Sequence, residues 1–140
     1  PRPMGRAQAT DAATPLVQLA ATDPANPWGA VLPWPDRDPR PQRTGGALVW
    51  LHEGALVGYL GRTERSLMTW LPDSEPGRTE VGRALTRALT GLVDGARRRA
   101  LLLTSLDGPP CPDSPLAERL RAAGFAPGPR GWLLRARPRG

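Results

Sequence analysis

A chain of 140 residues with 39% hydrophobic content has room for one real core, and no apolar run approaches the length of a membrane span. Its single Cys excludes an internal disulfide, and no secretory signal opens the chain, so the reading places it in the cytoplasm with no membrane partner. The formal net charge is +6 and all 19 basic residues are Arg, a side chain suited to bidentate phosphate contact and compatible with nucleic acid.

The chain opens on Pro1 rather than Met, which leads us to expect a piece of something longer. Residues 1–14 are small and polar without periodicity and read as a linker or loose terminus. Residues 15–140 then read as one domain. Pro15–Ala21 is a short apolar piece that fits a strand end or one helical turn. Thr22–Pro35, TDPANPWGAVLPWP, carries Pro24, Pro27, Pro33 and Pro35, which exclude a regular helix and a central strand. Trp28, Val31, Leu32 and Trp34 are nevertheless too apolar for a free linker. The segment reads as a rigid strap that lays two indoles on a surface. That surface is this domain's own core or, alternatively, a docking or base-stacking site formed by Trp28 and Trp34. Asp36–Gly45, with Arg37, Arg40 and Arg43, lacks an apolar anchor; it is expected to be exposed and mobile, and is a candidate for phosphate contact.

Gly46–Leu71 is the centre of the reading. Ala47–His52 and Ala55–Leu60 flank Glu53-Gly54, a tight-hairpin signal. Simple alternation pairs Leu51 with Leu56, Trp50 with Val57 and Leu48 with Tyr59. It places Val49, Leu51, Leu56 and Leu60 on one face and Leu48, Trp50, Val57 and Tyr59 on the other. A ribbon apolar on both faces must be covered on both. Ser66–Leu71 adds a third strand after a polar turn.

Thr79–Ala96 reads as a helix with Thr79 as its cap and a stripe of Val81, Leu85, Leu89, Leu92 and Val93. Arg97, Arg98 and Arg99 follow, either complementing the helix dipole or meeting DNA phosphates. Ala100–Leu106 reads as one buried strand. Ser114–Ala123 is a second helix, with Ser114 and Pro115 at its start, Gly124 at its end, and Glu118, Arg119 and Arg121 facing water. Phe125–Pro129 is a turn and Gly131–Ala136 a final strand, with Trp132 and Leu134 on one face. The order is β-β-β-α-β-α-β after a Pro-rich strap: an α+β fold with an antiparallel meander in a barrel-like sheet.

No P-loop, HExxH or nucleophile elbow is present, and Asp36, Asp38, Glu53 and Asp107 offer no pair assignable as acid and base. His52 and Cys111 stand alone, too few for a zinc site and without spacing that supports a thiol catalyst. The reading therefore assigns no catalytic residue, no metal ligand and no cofactor to this stretch.

Leu19–Pro35, LAATDPANPWGAVLPWP, resembles a segment near the C-terminus of the bacterial large helicase-related (Lhr) family. The likeness continues through Gly46-Ala47 to Leu60, Arg65 to Trp70, Ser114-Pro115-Leu116, Ala123-Gly124-Phe125 and Arg130-Gly131. It implies a superfamily 2, ATP-dependent DNA repair helicase, a hydrolase, with the motor and winged helices upstream and a barrel-like module at the end. A glycosylase-like region, with uracil excision, is also implied for the family. This stretch lacks the motor, so ATP and Mg would belong to the parent protein, and its role would be DNA contact, docking on winged-helix domains, or self-association. Arg130 joins the expected DNA contacts. The order of strands and helices also resembles the second half of GNAT acetyltransferases. That family's phosphate loop is missing before Thr79, where the sequence is Glu75-Pro76-Gly77-Arg78.

Overall fold

Positive backbone angles at Glu53 (φ 51°) and Gly54 (φ 85°) close the central hairpin in the computed structural model, which describes residues 14–36, 40–94, 100–107 and 117–135. Left-handed geometry at both turn residues is what a two-residue turn needs to match the twist of its strands. Around it the described elements run β1 (Val17–Ala20), β2 (Leu48–His52), β3 (Ala55–Leu60), β4 (Ser66–Thr69), α1 (Gly77–Asp94), β5 (Ala100–Leu103), β6 (Ser105–Leu106), α2 (Ala117–Ala122), β7 (Ala126–Gly128) and β8 (Gly131–Arg135). The fold is α+β, as its sequence pattern suggests, with an antiparallel meander of β2, β3 and β4 at its centre.

The register departs from simple alternation at one point. Leu51 faces Leu56, but Trp50 faces Gly58, Val49 faces Tyr59 and Leu48 faces Leu60, so Val57 is an extra residue in β3. Such a bulge turns the rest of its strand over. Leu60 therefore joins Trp50 and Val57 under α1, and Tyr59 joins Val49, Leu51 and Leu56 on the opposite face. The expected places of Leu60 and Tyr59 are exchanged.

Both faces of the ribbon are covered. On one, α1 seats Val81, Leu85, Leu89, Leu92 and Val93, all at most 8% exposed. Each such side chain contributes about 1.5–3 kcal/mol by leaving water. The bare Cα of Gly58 sets this approach, since a Cβ there would lie 2.8 Å from Leu85 Cδ1. Trp50 is fully buried and donates its indole N–H to Gln18 Oε1 at 2.9 Å. The opposite face lies under the strap, with Trp28 and Trp34 packed against the cluster of Leu51, Leu56, Tyr59 and Met68.

The sheet is not a barrel. A five-stranded sheet runs β1-β2-β3-β4-β6, and a separate three-stranded sheet runs β5-β8-β7. The expected single strand at Ala100–Leu106 breaks at Thr104, where β5 leaves β8 and β6 pairs in parallel with β4. Thr104 N–H and Ser105 N–H both donate to Arg65 O, at 2.8 and 3.1 Å, and this makes the switch. Asp107 then accepts from Thr69 N–H and Thr69 Oγ1, tying the two strands at their C-terminal ends. One apolar cluster nonetheless joins the sheets: Leu60 and Leu67 from one meet Leu101, Leu103, Trp132 and Leu134 from the other.

Three further corrections concern element ends. Residues 126–128 form a strand rather than a turn, exposed throughout and on the edge beside β8, where Pro127 is tolerated. Helix α1 begins at Gly77, and Thr79 is its third residue rather than its cap. Glu75 performs the capping instead, accepting from Thr79 N–H at 2.9 Å and Thr79 Oγ1 at 2.7 Å. The loop before β2 is anchored over residues 40–45: Pro41 is buried, Gln42 exchanges hydrogen bonds with the Tyr59 hydroxyl, and Arg43 is half-buried. At the end of α2, Gly124 (φ 106°) and the bond from Phe125 N–H to Leu120 O form the expected glycine stop.

Arg37, Arg97, Arg98, Arg99, Cys111, the Ser114-Pro115 helix start, residues 136–140 of the basic tail and residues 1–13 lie outside the described residues. Among the described residues, no helix is long and apolar enough to cross a membrane, and no three His, Cys, Asp or Glu side chains gather as a metal group would require.

Candidate nucleic-acid interface

The strap is built by its polar residues. Asp23 Oδ1 accepts from Ala25 N–H at 2.8 Å, and Asp23 O accepts from Asn26 N–H at 2.9 Å, which folds the DPAN turn. Asn26, only 1% exposed, then donates to Ala21 O at 2.8 Å and Trp28 O at 3.2 Å, and accepts from Trp28 N–H at 3.1 Å. Trp28 reaches across to Gly54 O through its indole N–H at 3.2 Å. Trp34 meets the Tyr59 ring edge-on at 5.6 Å and lies over Gly29, where a Cβ would come within 2.5 Å of Trp34 Cε2. Both indoles are thus held by this chain's own ribbon while staying half-exposed. Val31 (81% exposed) and Leu32 (40%) stand beside them at the strap's outer turn.

The expected basic contacts separate by environment. Arg43 donates to Asp23 O and Asn26 O, each at 3.0 Å, so its guanidinium ties the loop to the strap. Arg40 is exposed on that loop, and Arg130 is exposed in the turn between β7 and β8. The structure does not bring Arg40 and Arg130 into one described site.

A different set of arginines does converge. The apolar stripe of α1 leaves Thr79, Arg83, Thr86, Arg87 and Thr90 along its flank, each three or four residues, or one helical turn, from another of the set. Helix α2 buries Ala117 and Leu120 and turns Glu118, Arg119 and Ala122 toward that flank, with Ala123 just past its end. Small Thr and Ala side chains leave an open groove of about 630 Å³ between the helices. Three guanidinium groups and one carboxylate line it. Among the described residues, no ion pair or side-chain hydrogen bond engages Arg83, Arg87 or Arg119. The pair Arg83 and Arg87, four apart on one helix, costs about 0.2–0.5 kcal/mol through like-charge repulsion, which a bound anion would relieve.

Arg119, which the sequence reading turns to water, instead lies across α1. A Cβ built on Gly82 would meet its Nε at 3.1 Å and its Cδ at 3.2 Å. Near this point Glu75 is held below the usual glutamate pKa, first by the Thr79 hydroxyl, then by the Thr79 N–H, with smaller help from the charges of Arg119 and Arg78. Arg121 leaves the groove and sits 5.4 Å over the Trp132 ring. Sequence reasoning passes over Arg83 and Arg87 because it looks for consecutive basic residues. The usable signal is a pair of Arg four residues apart, bordering the apolar stripe.

The helix start that would hold a phosphate in an acyltransferase is already filled by an anion of this chain. The carboxylate of Glu75 takes both the N–H and the hydroxyl of Thr79. Both oxygens of Asp107 likewise accept from Thr69. His52 lies 4.0 Å from the exposed carboxylate of Glu53, and its Nδ1 is 3.3 Å from Pro15 O.

No family model matches the chain. It is similar over 128 residues, at 43% identity, to a protein of Mycolicibacterium smegmatis named Lhr helicase/probable uracil glycosylase, a match covering 85% of this chain and 8% of that relative. It is likewise similar over 117 residues, at 38% identity, to the Lhr helicase/uracil glycosylase of Escherichia coli K12, covering 82% of this chain and 7% of the relative. The chain therefore spans less than a tenth of the length of the curated relatives it matches.

Proposed function

We propose that this chain, which belongs to the Lhr helicase/uracil glycosylase family over the short segment it shares with it, is an accessory module of a DNA-processing protein and contacts the nucleic-acid backbone through the groove between α1 and α2. The observation that carries the reading is the convergence of Arg83, Arg87 and Arg119 on one groove without ion pairs among the described residues. Charge placed this way meets phosphates, and phosphate contact is the sequence-independent part of nucleic-acid binding. In the longer protein, ATP and Mg would serve a motor outside this segment, and the compartment would be the cytoplasm. The half-exposed indoles of Trp28 and Trp34, with Val31 and Leu32, suit contact with neighbouring winged-helix domains or with a second copy.

Binding to a fluorescein-labelled 20-mer, single-stranded and duplex, tests the reading. Three phosphate contacts predict that raising salt from about 50 to about 200 mM weakens binding roughly 20-fold for the single strand and roughly 40-fold for the duplex. No binding at about 50 mM salt refutes DNA contact by this segment.

A second reading rests on the relatives' printed names, which include uracil glycosylase. The commitment of two carboxylates, Glu75 and Asp107, to Thr79 and Thr69 favours placing any excision chemistry outside this segment. Release of uracil from a dU-containing oligonucleotide by the 140-residue chain alone would favour the second reading instead.

A further inference from the structure

The three arginines of the groove are not equivalent. Arg83 and Arg87 are exposed along the groove flank of α1, and among the described residues no ion pair or side-chain hydrogen bond holds them. Arg119 is half-buried, and a Cβ at Gly82 would lie 3.1 Å from its Nε and 3.2 Å from its Cδ, a few tenths of an ångström too close. An Arg free in water gives up rotamer freedom to hold one geometry, and a side chain already laid in a seat gives up less.

We infer that Gly82 is a positioning residue. Its missing Cβ lets Arg119 lie across α1 and present a pre-oriented guanidinium to a DNA backbone phosphate, while Arg83 and Arg87 supply only diffuse attraction. The inference deepens the DNA-contact reading and rests on it.

The hydroxyls of the groove indicate what is recognised. Thr79 Oγ1 donates to Glu75 at 2.7 Å, Thr86 Oγ1 to Arg83 O at 2.9 Å, and Thr90 Oγ1 to Thr86 O at 3.0 Å. With these donors spent on the chain itself, guanidinium groups are the donors left to a ligand. They match phosphate oxygens and leave bases unread, so one phosphodiester is gripped at Arg119 whatever the sequence around it. Helix propensity makes the glycine costly. At an interior position of α1 Gly is a poorer helix former than Ala, so Gly82→Ala should raise helix stability while pressing Arg119 a few tenths of an ångström out of its seat.

The test is a double-mutant cycle on the 140-residue chain, with labelled dT20 and a mixed-sequence 20-mer as probes. Arg119→Ala removes one phosphate contact. It is expected to weaken binding about tenfold at about 50 mM salt and to flatten the salt dependence by about 0.7 in log–log slope. Gly82→Ala keeps every charge, yet is expected to weaken binding severalfold at unchanged or raised melting temperature. In the Arg119→Ala background it should have no further effect. Arg119→Lys, which keeps the charge without the fork, should fall between wild type and Arg119→Ala. Equal effects on both probes support backbone recognition, and a difference above about threefold between them overturns it. Wild-type affinity in Gly82→Ala, or an equal loss on adding Gly82→Ala to Arg119→Ala, overturns the seat while leaving DNA contact standing. Failure of the wild-type chain to bind either probe sinks both. If Gly82→Ala does not fold, Arg119→Lys and Arg119→Ala carry the test: identical wild-type affinity in both overturns the grip.

Discussion

Replacing Asn26 by Ala should loosen the strap and cost about 3 kcal/mol. Asn26 is 1% exposed and its amide makes three hydrogen bonds: to Ala21 O at 2.8 Å, to Trp28 O at 3.2 Å, and from Trp28 N–H at 3.1 Å. An average bond nets about 1 kcal/mol; the longer one gives less, but the abandoned carbonyl of Ala21 adds a burial penalty of about 1 kcal/mol. For a chain of this size, about 3 kcal/mol lowers the melting temperature by about 10 °C. Thermal and urea unfolding, followed by far-ultraviolet circular dichroism, measure the loss. Tryptophan emission should shift to the red in the native baseline as Trp28 and Trp34 gain water. Asn26→Asp is the control, since it keeps the accepting oxygen but sets a carboxylate against two carbonyls, and it should be at least as damaging. A loss below about 1 kcal/mol in Asn26→Ala, or an Asp variant close to wild type, would refute the assignment of the strap's rigidity to this amide.

Other substitutions test the fold and its pH dependence. Gly131 has φ 139°, and a Cβ there would fall 2.1 Å from Leu103 O, so Gly131→Ala should cost at least about 3 kcal/mol or prevent folding; a soluble variant of wild-type melting temperature would contradict this. Gly91, on the exposed side of α1 with nothing within 4 Å of a would-be Cβ, has the opposite sign: Gly91→Ala should stabilise by up to about 1 kcal/mol in urea unfolding. Glu53→Asn should gain about 0.5–1 kcal/mol, because Asn tolerates the left-handed angle of 51° better than Glu, and an unchanged urea midpoint would count against it. Glu75 has a folded pKa below its usual 4.5, so its contribution is fully present above that value and is lost as pH falls through the folded one. Glu75→Gln should therefore lower stability at neutral pH and flatten that part of the acid limb; an unaltered acid limb would dismiss the carboxylate cap.

Local chemistry made several parts of this protein readable in one dimension. The Glu53-Gly54 hairpin, the stripe from Val81 to Val93 and the Gly124 stop follow from residue type and period, because turn angles, helical spacing and left-handed glycine are properties of neighbours in the chain. The coverage of both ribbon faces followed from apolar side chains pointing both ways. The turn in the ATDPANP stretch is also explained locally, since Asp23 and Asn26 spend their side chains on the strap itself.

What lay beyond the sequence depended on partners far along the chain. The bulge at Val57 exchanged Tyr59 and Leu60 between faces, although period-2 alternation alone predicts otherwise. The break at Thr104 is made by Arg65 O, 39 residues away, and the strand at 126–128 exists only because β8 lies beside it. The groove is the clearest case. Arg83 and Arg87 belong to one helix, Arg119 to another, and Gly82 matters only because α2 crosses α1 there. Period and composition are set by adjacent residues, whereas a site shared by two elements is set by how they pack.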